Sequence, residues 1–225
     1  MEESFWHERW QAGRIGFHLG EVNPNLVAQH DAWLGRAGVD PQTASDARVL
    51  VPLCGKSEDL AWLAAAGHEV VGVEFIESAA RTFFEEHELP FEIEPGSRGP
   101  TLRAAGIAIV VGDFFACTEE DIPRCSLAYD RAALVAVAPE LRKRYAQQLS
   151  RLLVPGGGLL LVSFEHDLES GPPFSVPPDE VRALFGGSFE LDLVDEHDIL
   201  ASEPRFAERG ASIMREQVYL GRRRA

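Results

Sequence analysis

Short apolar runs rich in β-branched residues alternate along this chain with stretches whose apolar positions recur every three to four residues. That alternation predicts a parallel sheet covered by helices. RVLVPL (48–53) predicts a buried strand, followed by the polar turn CGKSED and a helical run LAWLAAAG closed by Gly67. EVVGVE (69–74) predicts a second strand ending in an acid, and ESAARTFFEEHEL then sets Ala80, Phe83, Phe84 and His87 on one helical face. IAIVVGD (107–113) and SLAYDRAAL (126–134) supply strands three and four. A helix started by Pro139 carries Leu141, Tyr145, Leu149 and Leu152 at helical spacing and stops at Pro155. Gly156, Gly157 and Gly158 turn the chain into LLLVSFE (159–165), apolar enough for the centre of a sheet. FELDLVDEHD (189–198) and SIMREQVYLG (212–221) alternate apolar with polar residues, as half-wet edge strands do. EPGSRGP (94–100) and SGPPFSVPP (170–178) read as loops.

The expected fold is therefore α/β: a doubly wound, mostly parallel seven-stranded sheet with an antiparallel C-terminal edge hairpin and helices on both faces. A chain of 225 residues fits one such domain over 1–225. Ahead of the sheet, residues 1–35 form an aromatic extension with Trp6 and Trp10 one helical turn apart, Phe17, and a helix ending near Trp33. It either packs as a cap or covers a ligand. Ligands in such sheets sit beyond the carboxyl ends of the central strands, which selects the residues to inspect.

Composition narrows the partners. No apolar run approaches the roughly 18 residues of a membrane span, and the acidic N-terminus has no following apolar region, so neither membrane nor secretion is expected. A formal net charge of −15 repels phosphate backbones and argues against nucleic acid. Cys54, Cys117 and Cys125 are odd in number and show no CxxC pairing, which favours a reducing cytoplasm over a disulfide framework or a zinc site. The histidines do not cluster at metal spacing, so no metal is expected; nor is oligomerisation, for want of an apolar stripe.

The turn VPLCGKSEDL (51–60) joins strand one to a helix N-terminus, where backbone N–H groups can face a ligand. It lacks the glycines of a dinucleotide fingerprint and, with Leu50 five residues before Gly55, is not a phosphate-binding Walker loop. An ordinary turn capped by Ser57 is the plain alternative. Glu74, 19 residues after Gly55, closes strand two near the separation at which an acid accepts ribose hydroxyls. A ligand with adenosine but no pyrophosphate fits this pair, and S-adenosyl-L-methionine is the obvious one. Gly112 and Asp113 close strand three before Phe114 and Phe115, which offer a wall for a purine or two core phenylalanines. Asp130 and Arg131 close strand four; the arginine could hold an anionic substrate but not act as a base, and a structural Asp-Arg pair is the alternative. Glu165, His166 and Asp167 end strand five, where a histidine either touches substrate or fastens a loop.

FWHERWQAGRIGFH, VPLCGKSEDLAWLAAAGHEVVGVE, GDFF, YDRAALVA, LLLVSFE with GPPFSV, and REQVYL jointly resemble the thiopurine S-methyltransferase family from Phe5 to Leu220. The resemblance implies that Trp10, Leu53, Glu74 and Arg131 bind S-adenosyl-L-methionine, with Gly112 and Asp113 adding contacts to its adenosine part. It further implies that Phe17, Pro172, Pro173, Phe174 and Arg205 line the substrate pocket, with Arg131 reaching into it; the register at Arg205 could slip toward Arg209.

The expected reaction is direct in-line methyl transfer to a thiopurine or another aromatic or heterocyclic thiol, leaving S-adenosyl-L-homocysteine. Arg131 would orient the acceptor anion, with Arg205 second. Selenium or tellurium oxyanion-derived species are the alternative acceptors that the resemblance implies. A nicotinamide-dependent oxidoreductase shares the sheet and Glu74 but needs a pyrophosphate turn; a non-catalytic adenosine-ligand sensor would lack an open second pocket.

Overall fold

Leu50 turns to one face of the central sheet while its neighbours Val49 and Val51 turn to the other, and Leu159 and Leu161 alternate with Leu160 and Val162 in the same way. Strands buried on both faces need apolar side chains at every position, which is why these segments read as continuous hydrophobic runs. The computed structural model describes residues 3–40 and 47–225, so residues 1–2 of the expected extension lie outside the described residues. The helices are α1 (Glu3–Gln11), α2 (Pro24–Ala37), α3 (Glu58–Ala65), α4 (Glu77–Glu86), α5 (Arg142–Leu152), α6 (Pro178–Phe185) and α7 (Pro204–Glu208). The strands are β1 (Arg48–Pro52), β2 (Glu69–Glu74), β3 (Glu92–Glu94), β4 (Thr101–Ala104), β5 (Ile107–Val111), β6 (Cys125–Arg131), β7 (Leu153–His166), β8 (Phe189–Asp198) and β9 (Met214–Arg223).

They form one sheet in the order β3-β4-β5-β2-β1-β6-β7-β9-β8. The five strands from β5 to β7 are mutually parallel, while β9 runs antiparallel to both β7 and β8. Helices cover both faces. Leu26, Trp33, Leu60, Leu63, Phe83 and Phe84 of α2, α3 and α4 pack on one, and Tyr145, Leu149, Val181 and Phe185 of α5 and α6 pack on the other. The ends of α2 show local chemistry at work. Asn23 accepts N–H bonds from Asn25 and Leu26, Pro24 opens the first turn, and Gly38 closes the helix at φ +68°.

All seven expected strands are present, and the doubly wound sheet with its antiparallel C-terminal edge is as expected. Two more strands, β3 and β4, extend the opposite edge as a hairpin around the expected 94–100 loop. β3 is three residues long and exposed throughout, so it carries no hydrophobic signature. β7 begins at Leu153, earlier than its apolar run, with Pro155 and the three glycines inside it. A Cβ on Gly157 would come within 2.9 Å of the Ser126 carbonyl, so the glycine lets β7 approach β6.

From β1 the chain winds outward through β2 to β5 on one side, then returns to place β6 on the other. The crevice at this reversal lies beyond the carboxyl ends of β1, β2 and β6, which end at Pro52, Glu74 and Arg131.

Candidate active site

At the end of β1, Leu53 adopts a left-handed backbone (φ +49°) and Gly55 another (φ +55°), which swings the chain into α3. Ser57 caps that helix by accepting the Asp59 N–H at 3.3 Å, as expected of an N-cap there. The same turn also reaches across to β2. Cys54 N–H donates to the Val73 carbonyl at 3.1 Å, and Gly55 N–H donates to Oε2 of Glu74 at 2.9 Å. Ile76 N–H donates to the other carboxyl oxygen at 2.8 Å. Glu74 is only 4% exposed, and its burial pushes the carboxyl up to about 7 against the pull of those N–H groups and of His7.

Arg131 ends β6 and donates from Nη1 to the Phe17 carbonyl at 2.6 Å; its Nε is buried with no hydrogen-bond partner. Asp130 faces the other way, as alternation along a strand requires. It is fully buried, accepting the Leu134 N–H at 3.0 Å and the Tyr145 hydroxyl at 2.7 Å, and desolvation raises it to about 6. The two residues make no structural pair, so Arg131 is left for the crevice. Ala132, next in the chain, is itself left-handed at φ +61°.

The N-terminal extension folds over this edge. Trp6 and Trp10 meet the Phe17 ring edge-on at 5.6 and 5.8 Å, and the cluster packs on Phe75, Ile76, Ala79 and Ala136. A Cβ on Gly55 would come within 3.2 Å of the Trp10 ring, so the indole lies directly on the glycine turn.

A cavity of about 480 Å³ opens beneath the extension. Its wall includes Trp10, Leu53, Gly55 and Glu74 together with Phe17, Arg131, Pro172, Pro173 and Arg205. Gly112, Asp113 and Phe174 are not part of the wall. Gly112 N–H donates to the Glu74 carbonyl at 3.0 Å, and the Asp113 carboxylate accepts the Phe115 N–H. Phe114 is buried against Tyr145 in the core. Phe174 donates its N–H to the Val135 carbonyl at 2.7 Å, and its ring lies against Gly171 and under Arg142. It fastens the loop rather than facing the cavity.

Glu165, His166 and Asp167 stand outside the wall, and His166 and Asp167 hold loops next to it. The His166 Nδ1 accepts the Leu168 N–H at 3.2 Å, which leaves Nε2 to donate to the Pro173 carbonyl at 3.2 Å. Its ring stacks on Phe206, and burial lowers its pKa. Asp167 accepts the Ser212 N–H and hydroxyl and the Ile213 N–H. Glu165 pairs with Arg215 at 3.2 Å.

Sequence reasoning missed part of the wall. Arg9, His18, Lys56 and Phe206 also line it, while Arg209, toward which the register of Arg205 could slip, lines it together with Arg205. Arg9 is one charged position in the exposed-looking run HERW, and only the fold of α1 over the crevice gives it meaning. The wall is cationic in a chain of net charge −15, with Glu74 the single acid among its described residues. Among the described residues no group of three or more histidine, cysteine, aspartate or glutamate side chains could hold a metal ion.

The family model for thiopurine S-methyltransferase matches residues 1–224. A thiopurine S-methyltransferase of Pseudomonas aeruginosa (strain UCBPP-PA14) is 44% identical over 222 residues, covering 98% of each chain. That of Pseudomonas syringae pv. tomato (strain ATCC BAA-871 / DC3000) is 43% identical, covering 98% of this chain and 97% of the relative. Among solved structures, the Burkholderia thailandensis 1,6-didemethyltoxoflavin-N1-methyltransferase with bound 1,6-didemethyltoxoflavin and S-adenosylhomocysteine superposes with a TM-score of 0.66. At 18% identity, over 99% of this chain and 87% of that one, it shares the fold. On the family match and the Pseudomonas relatives, the chain belongs to the thiopurine S-methyltransferase family.

Proposed function

We infer that this chain methylates thiopurines and other aromatic or heterocyclic thiols by direct in-line transfer from S-adenosyl-L-methionine. One observation carries the reading: a single cavity joins the Gly55–Glu74 turn to the Arg131 guanidinium under an aromatic cover. The residues suit an adenosine ligand without phosphates. Glu74 is a buried acceptor for a ribose diol, Gly55 keeps the turn low, Leu53 and Trp10 supply apolar surface, and Arg131 carries an orphaned buried Nε. Gly112 supports Glu74 through its backbone. Asp113 and Phe174 enter this reading as neighbours of the wall, not parts of it.

S-adenosyl-L-methionine supplies a methyl on a sulfonium, and its transfer to an acceptor sulfur leaves S-adenosyl-L-homocysteine with the sulfonium's bonding electron pair. The chain aligns the acceptor and keeps water away. Arg131 favours the thiolate over the thiol by its fixed charge, so no dedicated base is needed for acceptors that ionise readily. Pro172, Pro173 and Phe17 supply flat apolar contacts, and Arg205, held by Glu203 at 2.8 Å, stands beside them. Trp6, Trp10 and Phe17 close the top. We read the enzyme as a cytoplasmic monomer needing no metal; three buried free cysteines suit a reducing compartment.

The cationic wall also favours a second acceptor class, selenium or tellurium oxyanion-derived species. Release of S-adenosyl-L-homocysteine, measured with an aromatic thiol, a thiopurine, selenite and a catechol, tests both readings. Turnover with sulfur or selenium acceptors and not the catechol supports a soft-nucleophile enzyme. Cofactor binding without turnover would point to an adenosine-ligand sensor, and failure to bind the cofactor would remove the reading altogether.

A further inference from the structure

Ala132, the residue after Arg131, holds a left-handed backbone at φ +61°. Among the described residues the other non-glycine positions that do so are Glu88 after α4, Ala105 in the tight turn between β4 and β5, and Leu53 after β1. A helix end and a hairpin turn commonly contain such a residue. Leu53 and Ala132 instead both line the cavity. Alanine is sterically disfavoured in this conformation where glycine is not, so it persists only because its surroundings enforce it.

The restraint comes from the buried side of β6. Asp130, with no exposed surface, accepts the Leu134 N–H at 3.0 Å and the Tyr145 hydroxyl at 2.7 Å, and the Ala133 N–H also favours its ionised form. Tyr145, from α5, is equally buried. The carboxylate gathers N–H groups three and four residues ahead of it, which folds the chain back directly after Arg131. That fold leads into a short 3₁₀ turn, Leu134–Ala136, whose Val135 carbonyl receives the Phe174 N–H at 2.7 Å. A carboxylate taken wholly out of water is costly, and an apolar side chain could fill the same place in the core. On the cavity side, Arg131 makes one hydrogen bond, to the Phe17 carbonyl. One bond is little to aim so long a side chain, so its direction depends on how its backbone leaves the strand.

We propose that Asp130 and Tyr145 are positioning residues for Arg131: together they hold Ala132 left-handed and thereby aim the guanidinium into the cavity. Neither lines the cavity, so the pair works through the turn alone. This rests on the methyl-transfer reading and deepens it, because it assigns the fixed geometry of Arg131 to a buried pair at the end of the sheet.

Tyr145→Phe removes one hydroxyl and leaves the ring in place. It should lower kcat/KM for thiophenol about 10-fold or more and raise the pH of half-maximal rate, as loss of the Arg131 charge would. In an Arg131→Ala background the same change should matter less than about twofold, because the side chain it positions is gone. Ala132→Gly tests the link between them. Glycine takes the left-handed conformation without strain, so beside Ala132→Gly the loss from Tyr145→Phe should shrink to about threefold or less. Ala132→Val acts in the opposite sense: a β-branched residue resists that conformation and should cost about 10-fold or more with Asp130 and Tyr145 intact. Ala132 is half-buried, so this variant carries the test even if Tyr145→Phe melts early. Full activity of either Tyr145→Phe or Ala132→Val overturns the proposal. So does a loss from Tyr145→Phe that persists in full beside Arg131→Ala or Ala132→Gly, which would place its effect elsewhere. Affinity for S-adenosyl-L-homocysteine, read by calorimetry, should follow the same pattern. Failure of the unaltered protein to methylate any thiol would remove the methyl-transfer reading, and that second measurement would still decide whether the pair positions Arg131.

Discussion

The Gly55 N–H donates to Oε2 of Glu74 at 2.9 Å, joining the turn after β1 to the end of β2 across 19 residues of sequence. The bond aims the carboxyl at the crevice while burial raises it to about 7. Only the ionised form keeps both oxygens free of a proton and open to a diol. Cofactor affinity should therefore weaken as pH falls below about 7, by up to about tenfold per unit where only the carboxylate binds. Glu74→Gln should bind weakly with a flatter profile, as titration calorimetry between pH 5.5 and 8.5 would read. Without ligand the sign reverses. The folded state holds this proton more tightly than the unfolded chain, so Glu74 costs stability as pH rises from its ordinary range through 7, and the glutamine variant should lose that part of the slope.

Gly55→Ala tests the turn itself. A left-handed alanine costs about 1–2 kcal/mol, and its Cβ would also press on Trp10 at 3.2 Å. The melting temperature should fall by roughly 2–8 °C, with cofactor affinity falling too. Combined with Trp10→Ala, the losses should be less than additive because the steric part disappears. Strict additivity in a double-mutant cycle would mean that the indole does not rest on the glycine.

How much of this could be read beforehand follows burial. Glu74 was legible because a charged residue closing a wholly apolar strand needs a reason, and the parallel strands were legible because burial on both faces writes an unbroken apolar run. β3 and β4 were not, since an exposed three-residue strand is stabilised by pairing alone. Loop side chains were the other gap. Nothing in GPPF distinguishes prolines that face the cavity from a phenylalanine that turns away, because the Phe174 N–H bond to Val135 sets that orientation from a distant segment. Arg9 was hidden for a related reason: helical spacing in HERW is known, but what covers α1 is not.

Arg131 makes one carbonyl hydrogen bond and no ion pair among the described residues, so its removal should affect chemistry more than folding. Arg131→Ala should lower kcat/KM for an aromatic thiol by about 10²-fold or more, while the melting temperature moves only a few degrees. The variant should also need a higher pH to reach half-maximal rate, because the thiol loses the charge that favours its ionisation. A shift of that kind separates electrostatic orientation from simple loss of contact. Steady-state kinetics that match the unaltered protein would take Arg131 out of the mechanism.

His166 binds the Pro172–Pro173 loop of the acceptor wall to the end of one central strand, and Asp167 binds the segment that follows Arg209 to the same end. His166 holds Leu168 and Pro173 and stacks on Phe206, while Asp167 holds Ser212 and Ile213. Neither lines the cavity, so loosening either should disturb acceptor placement and spare the Gly55–Glu74 side. His166→Ala should raise KM for the acceptor about 10-fold with the cofactor dissociation constant changed less than about twofold. Protonation of His166 gives the Nδ1 a hydrogen where it now accepts the Leu168 N–H. Burial and the nearby charges of Arg209 and Arg142 oppose that step, and Asp167 favours it. Its pKa lies below the usual histidine value, so acceptor KM in the unaltered protein should climb only on the acid side of the ordinary histidine range. The alanine variant should lack that rise. Equal damage to cofactor and acceptor binding would instead mean that the strand end supports the whole crevice, and the division of labour between the two sides would not stand.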